Sequence, residues 1–167
     1  TVIAHNSILG NATSGVFVGD GSSAQATNTW IIGNLIANNA AAGVFLDDAD
    51  SGTLATRIVG NVIVGNTGAG IQAQEAASLF IDQNTLANNT AYGVRFDATS
   101  STDVCLRNNS FSGNATSALR VDISVTANPA PACVGPLSTG PPYGNHVDAA
   151  DYCSGSAGCP LDTSPVW

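Results

Sequence analysis

The amino-acid sequence predicts an all-β solenoid, a fold in which short parallel strands stack in successive coils. Three observations lead to this prediction: one 13-residue pattern occurs five times without a gap, apolar residues recur at every second position within it, and two asparagines hold the same places in every copy. Repeats of this length cannot bury an apolar stripe alone, so they must stack on one another.

Each copy begins at an asparagine, and the spacings of 28, 27, 23 and 25 residues vary through one polar connection per repeat. These first asparagines are Asn6, Asn34, Asn61, Asn84 and Asn109. A second asparagine follows five positions later, at Asn11, Asn39, Asn66, Asn89 and Asn114. Between the two lies an apolar residue, which is Ile8, Ile36, Ile63, Leu86 or Phe111.

Alternation with a period of two is typical of strands, because successive side chains of a strand point to opposite faces. Coils stacked in register place equivalent residues roughly 4.8 Å apart. Stacked asparagines would then bond to each other and to corner backbone, since an amide both donates and accepts. An unpaired buried amide would cost about 1 to 3 kcal/mol. We therefore predict two buried asparagine ladders at the corners between strands.

Glycine precedes the third strand of four repeats, at Gly15, Gly43, Gly70 and Gly93. We expect a corner with unusual backbone angles at these positions, which glycine adopts without steric cost. The fifth copy has Ala118 there instead, and this departure marks it as the last full coil.

The repeated asparagines and apolar positions resemble the right-handed parallel β-helix family, which includes pectate lyases, polygalacturonases, alginate epimerases and phage tailspikes. The resemblance covers Thr1 to about Val121 and implies a right-handed β-helix of about five coils, which we place in residues 1–127. Residues 128–167 are rich in proline, glycine and cysteine and are predicted to form an irregular C-terminal cap or flank. Because this fold carries lyases, hydrolases, epimerases and inert stalks, the resemblance implies no single activity.

All four cysteines lie in or beside this flank, and an even number in an acidic, lysine-free chain indicates an oxidising, extracytoplasmic setting. Cys105 and Cys133 are 28 residues apart, about one coil, so we predict that they pair and that Cys153 and Cys159 close a local loop. A zinc site with His146 is the alternative, which the lack of paired C-x-x-C motifs disfavours. The sequence therefore predicts disulfides and an extracellular or cell-surface location.

Composition bears on the partners of the chain. The formal net charge is −8, with four arginines and twelve acidic residues, which disfavours nucleic acid because its binding rests on cationic contacts to phosphate. The longest run of apolar or small residues, Ala40 to Leu46, is far shorter than the roughly 18 residues of a membrane span. Thr1 already occupies a strand position, and neither a methionine nor a leader pattern is present. We therefore expect either a piece of a longer β-helix or an edge that docks a further subunit.

An outward row on the third strand of the repeats is the predicted ligand-binding stripe. It comprises Phe17, Phe45, Gln72, Arg95 and Arg120, with Asp97 and Asp122 two positions further on. Aromatic rings and planar hydrogen-bonding groups in one line would suit a polysaccharide chain that lies along the coils. The alternative is a solvated network of ion pairs, each worth about 0 to 1 kcal/mol.

Acidic residues in the connections are candidate ligands for calcium, the one cofactor that the sequence suggests. They are Asp20, Asp47, Asp48, Asp50 and Glu75. Calcium takes six to eight oxygen ligands, and these acids lie on adjacent coils. No DxDxDG loop is present, so solvated loop acids are the alternative.

No catalytic residue is assigned. The pair Asp47 and Asp48 is similar to the double aspartate of polygalacturonases, but the histidine-glycine and arginine-lysine motifs of that family are missing, as is the tyrosine-histidine-aspartate segment of alginate epimerases. Arg95 and Arg120 hold their protons strongly, which makes either a poor general base. A further outward row is unusually apolar and is a candidate contact patch: Val2, Trp30, Arg57, Phe80 and Cys105.

The sequence therefore predicts an extracellular or cell-surface β-helix module that contacts polysaccharide through the third-strand stripe, without a complete catalytic site. Two alternatives stay open. One is a structural stalk, adhesin or filament subunit whose coils continue end to end through open edges. The other is the C-terminal portion of a polysaccharide lyase or hydrolase.

Overall fold

A computed structural model describes residues 1–19, 28–47, 56–74, 78–97, 103–114, 123–125, 133–134, 146–147 and 153–154. These ranges hold eighteen short strands. Every strand pairs in parallel with its equivalents in the neighbouring coils, and the strands form three sheets of six. The all-β parallel solenoid predicted from the sequence is confirmed.

Three strands make one coil, and the chain contains six coils in the described ranges. Coil by coil, the strands are β1 Val2–Ala4, β2 Ser7–Leu9 and β3 Val16–Val18; β4 Trp30–Ile32, β5 Leu35–Ala37 and β6 Val44–Leu46; β7 Thr56–Val59, β8 Val62–Val64 and β9 Ile71–Ala73; β10 Ser78–Asp82, β11 Thr85–Ala87 and β12 Val94–Phe96; β13 Asp103–Arg107, β14 Ser110–Ser112 and β15 Ile123–Val125; β16 Cys133–Val134, β17 His146–Val147 and β18 Cys153–Ser154. We name the sheets by their first strands: sheet 1 runs from β1 to β16, sheet 2 from β2 to β17 and sheet 3 from β3 to β18.

The flank contributes a sixth coil, where the repeat pattern predicts about five. The strands β16, β17 and β18 each have two residues and pair with the three strands of the fifth coil. Pro131 and Pro136 flank β16 in the sequence, and because proline lacks a backbone N–H, this strand is confined to the few residues between them. In β16, Cys133 stands directly opposite Cys105, so these two cysteines are one coil apart, as their spacing predicts.

The register of β15 also differs from the repeat pattern. The pattern places 119–121 beside β12, but the strand that pairs there is Ile123–Val125, and Arg95 stands opposite Ser124 instead of Arg120. A shift of four residues is even, so it exchanges one apolar-polar-apolar triplet for another without reversing the alternation. The β-branched residues of Ile123–Val125 suit a strand better than those of the triplet that they replace.

The interior is filled by the apolar residues of the inward positions, as predicted. Burying such a side chain contributes about 1.5 to 3 kcal/mol, and the stack repeats this contribution in every coil. The core comprises Val16, Val18, Ile31, Ile36, Val44, Leu46, Ile58, Ile63, Ile71, Ala73, Leu79, Ile81, Leu86, Val94, Phe96, Leu106 and Phe111.

Two asparagine ladders run the length of this core, which confirms the central prediction. In each ladder the backbone N–H and the side-chain Nδ2 of one asparagine donate to the Oδ1 of the next. Asn34 does so to Asn61 at 2.9 and 3.0 Å, and Asn39 to Asn66 at 3.0 and 2.8 Å. The Nδ2 of each interior asparagine also donates to a strand carbonyl of the preceding coil, as from Asn61 to Ile31 at 2.9 Å. The interior ladder amides are buried, so water does not compete for their hydrogen bonds, and these bonds hold adjacent coils together.

The residue before each ladder asparagine adopts a left-handed backbone conformation, and this forms the corner. Glycine suits it, as at Gly60 with a φ of 64°, because a left-handed conformation costs other residues roughly 1 to 2 kcal/mol. Other residues also occupy it: His5, Asn38, Gln83, Asn88 and Asn108.

The glycines before the third strand have a different role from the one expected. Gly15, Gly43 and Gly70 are not among the described residues with positive φ. A Cβ on Gly43 would lie 2.5 Å from Cγ2 of Ile63 and 2.9 Å from Nδ2 of Asn66. These positions require glycine for space, because the next coil's asparagine packs directly against them.

Candidate functional site

The outer face of sheet 3 carries the predicted stripe on consecutive strands. The register places Phe17, Phe45, Gln72 and Arg95 opposite one another in β3, β6, β9 and β12. The rings of Phe17 and Phe45 are 5.5 Å apart between centroids and inclined at 52°. Phe17 is 53% exposed and Phe45 is half-buried, so one end of the stripe presents an exposed aromatic ring that packs against a second ring.

The other end of the stripe is organised around one carboxylate. Asp97 accepts a hydrogen bond from Nε2 of Gln72 at 2.9 Å and forms an ion pair with Nε of Arg95 at 2.5 Å. The Asp97 side chain is only 15% exposed, whereas that of Arg95 is 41% exposed. The ion pair joins neighbouring outward residues of one chain segment and holds the arginine beside the glutamine, so both planar groups stand in one row with the phenylalanines.

Two residues of the predicted stripe, Arg120 and Asp122, lie outside the described residues. The register of β15 places Ser124 next to Arg95 in the row, so the alternation of arginine and aspartate expected from the repeat does not continue into the fifth coil.

The candidate calcium ligands fall mainly outside the described residues, where Asp20, Asp48, Asp50 and Glu75 are found. Asp47 is described, and it lies half-buried at the end of β6. Within the ranges that the structure describes, no group of three or more histidine, cysteine or acidic side chains is arranged to hold a metal ion. Calcium binding stays a prediction.

The outer face of sheet 1 holds a second organised row, which sequence reasoning treated only as an apolar patch. The guanidinium of Arg57 lies 5.3 Å from the ring centroid of Trp30 and 5.4 Å from that of Phe80. The guanidinium of Arg107 lies 4.6 Å from the same Phe80 ring. The signal in the sequence is that Arg57 occupies the same repeat position as two aromatic residues, Trp30 one coil before it and Phe80 one coil after it.

A buried carboxylate anchors the end of this row. Asp82 is 5% exposed, and its Oδ2 accepts from Nε and a terminal nitrogen of Arg107 at 3.3 and 3.2 Å. Its Oδ1 accepts from Nδ2 of Asn108 at 2.8 Å. The carboxylate therefore has partners for both oxygens, as a buried charge requires.

The ladder asparagines of the first coil differ from the interior ones in their exposure. Asn6 and Asn11 are exposed, and they donate to Asn34 and Asn39 at 3.1 and 2.8 Å. In the described part of the chain, no donor reaches the Oδ1 of either asparagine. Each could accept the same two hydrogen bonds that every interior ladder asparagine accepts.

Within the described ranges, no helix combines the length and the apolar character needed to cross a membrane.

Comparison with known proteins identifies the family. A family model for a right-handed β-helix region matches residues 1–129. No curated protein and no solved structure matches the chain. The match covers the coils that carry both asparagine ladders, and it agrees with the parallel three-sheet architecture. The chain belongs to the right-handed β-helix family.

Proposed function

We propose that this protein is an exported, extracellular or cell-surface module that contacts polysaccharide through the outer face of sheet 3, without a complete catalytic site. The β-helix fold supports a structural or carbohydrate-associated module. The observation that carries the finer proposal is the pair formed by the exposed ring of Phe17 and the half-buried ring of Phe45, in line with the planar groups of Gln72 and Arg95.

The chemistry of this row matches that of a sugar chain. A pyranose presents an apolar face of C–H groups, which packs on aromatic rings, and a rim of hydroxyls, which bond to planar amide and guanidinium groups. The rows of a solenoid lie roughly 4.8 Å apart, so successive coils meet an extended polymer at regular intervals. The acidic, lysine-free composition and the even number of cysteines support the exported location.

Retention of the full chain on a panel of neutral and acidic polysaccharides tests this proposal. Phe17→Ala and Phe45→Ala are each expected to weaken binding roughly fivefold, which corresponds to about 1 kcal/mol for a lost aromatic contact. Leu35→Ala is the matched control, because Leu35 is also a large exposed apolar residue but lies on sheet 2. The proposal fails if the panel retains nothing, or if the control variant weakens binding as much as Phe17→Ala.

A structural role is the second candidate, and the exposed ladder ends favour it. We propose that the unused Oδ1 acceptors of Asn6 and Asn11 receive a further β-helix coil, which would extend the stack end to end. Sedimentation and electron microscopy of the full chain test this. Concentration-dependent assembly supports stacking, and a strict monomer at high concentration contradicts it.

A further inference from the structure

The outer face of sheet 1 contains an arginine whose charge has no counterion among the described residues. In these ranges Arg95 pairs with Asp97, and Arg107 pairs with Asp82. Arg57 instead contacts two aromatic rings, which are on either side of it in the row. The formal net charge of −8 means that carboxylates are plentiful in this chain, so an arginine that contacts none of the described ones and is held between two rings requires an explanation.

The contacts with the two rings hold the Arg57 guanidinium in one position, which favours the binding of an external anion. Trp30, Arg57 and Phe80 stand opposite one another in β4, β7 and β10, so ring, guanidinium and ring follow each other along the helix axis. Both distances are within the range of a cation–π contact, and a guanidinium in such contacts still has five N–H donors to offer an anion. An arginine fixed in this way loses little conformational freedom when a planar anion binds its donors.

We propose that Arg57, with Trp30 and Phe80, forms an anion site for the charged groups of an acidic polysaccharide, either carboxylates or sulfate esters. This inference rests on the proposed function for the class of polymer, but its site is on a different sheet. Both groups offer two oxygens to the guanidinium fork. Trp30 is 38% exposed and gives the sugar beside the anion an apolar contact.

The negative net charge of the protein makes any preference for an acidic polymer over its uncharged form informative. A chain with a net charge of −8 repels polyanions in general, although salt at physiological strength screens this repulsion beyond about 8 Å. A preference for an acidic polymer over its uncharged form must therefore come from a local cation. A nucleic acid would need several such cations in a patch, and for this reason the polysaccharide is the occupant favoured here.

The experiment compares polygalacturonate with the same polymer after full methyl esterification, which removes the charge and keeps the backbone. We expect the full-length wild-type chain to bind the acidic form roughly tenfold more tightly, the effect of one charge-assisted hydrogen-bonded contact. Arg57→Gln should bind both forms equally, and Arg57→Lys should keep part of the preference. A sulfated polysaccharide and its desulfated form make the second arm and decide between the two anions.

Phe17→Ala separates this inference from the proposed function. It should weaken the binding of both polymers alike and leave the acidic preference intact, because Phe17 lies on sheet 3. If Arg57→Gln, with an unchanged circular dichroism spectrum, keeps the wild-type preference, the anion site is refuted while the sheet 3 proposal stands. If free galacturonate binds as tightly as the polymer, the site is a simple anion site and the polysaccharide is refuted.

Tryptophan fluorescence gives a readout that does not depend on the stability of a variant at Arg57. The chain has two tryptophans, Trp30 and Trp167, so Trp167→Phe leaves Trp30 as the reporter. Polygalacturonate should change the emission of Trp30, and the esterified polymer at equal ionic strength should change it much less. Binding of polygalacturonate without any change in this emission would place the ligand elsewhere and overturn the inference.

Discussion

Replacing Asn61 by alanine should destabilise the protein by about 4 kcal/mol. Asn61 lies in the middle of its ladder, where its Oδ1 accepts from the backbone N–H and Nδ2 of Asn34 at 2.9 and 3.0 Å. Its Nδ2 donates to the carbonyls of Ile31 and Val59 and to Oδ1 of Asn84, at 2.9, 3.2 and 2.9 Å. All these hydrogen bonds are lost in Asn61→Ala.

The magnitude follows from which of these groups keep a partner. The Nδ2 of Asn34 still donates to Ile3, and Oδ1 of Asn84 still accepts from the backbone N–H of residue 61. The buried backbone N–H of Asn34 has no substitute, and an orphaned donor of this kind costs about 1 to 3 kcal/mol. The other lost bonds add about 1 kcal/mol each, discounted for those whose partners find other bonds.

Urea unfolding followed by far-UV circular dichroism measures this loss, and Asn6→Ala is the matched control. Asn6 belongs to the same ladder, but it is exposed, so water replaces its lost bonds and the cost should stay below about 1 kcal/mol. Asn61→Asp keeps the volume but turns a donor into a carboxylate oxygen that faces three acceptors, so it should cost at least as much as alanine at neutral pH. Equal effects of Asn61→Ala and Asn6→Ala would refute the reasoning.

Three further predictions concern space, charge and crosslinking. Gly43→Ala should cost about 1 to 3 kcal/mol in urea unfolding through overpacking, whereas Gly60→Ala, where a Cβ meets nothing within 4 Å, should cost only the roughly 1 to 2 kcal/mol of a left-handed conformation. Arg107→Met should destabilise the fold by about 2 kcal/mol or more because it leaves the buried Asp82 with Asn108 alone, and the double variant with Asp82→Asn should recover part of that loss; no recovery would contradict the ion pair. Peptide mapping of the unreduced protein should detect a disulfide between Cys105 and Cys133, because neighbouring strands bring their Cα atoms roughly 4.8 Å apart, within the range of a disulfide. A free Cys105 thiol would contradict this pairing.

The repeat could be predicted from the sequence because each ladder position places the same constraint on its residue. Asn34, Asn61 and Asn84 occupy one environment, in which an amide satisfies donors and acceptors in two directions at once. Few other side chains meet that requirement, so the identity of the residue reports its environment. The same argument explains why the inward apolar positions were predicted correctly.

The sixth coil was missed because strands of two residues carry too little alternation to read. A weak signal was present: Gly144 and Asn145 precede β17 in the sequence, as Gly33 and Asn34 precede β5. The register of β15 was missed for a related reason. Two apolar-polar-apolar triplets follow Asn114, at 119–121 and 123–125, and both fit the alternation, so periodicity alone does not decide which one pairs with β12.

The candidate sites were only partly predictable, since outward side chains follow no shared pattern. The row of Phe17 and Phe45 could be found because register alone aligns it. The contacts of Arg57 with two rings depend on side-chain conformations that no periodicity encodes. Likewise, the sequence predicts unusual backbone angles at Gly43, because it shows the position of the glycine but not the Asn66 amide that packs against it.

Side-chain amide exchange, measured by NMR on the labelled full chain, tests the ladders most directly. The Nδ2 protons of Asn34, Asn61 and Asn84 should exchange slowly and should show contacts between coils, whereas the exposed Asn6 should exchange rapidly. Rapid exchange at Asn61 and Asn84, or the lack of any contact between their amides, would contradict a fold held together by stacked asparagines.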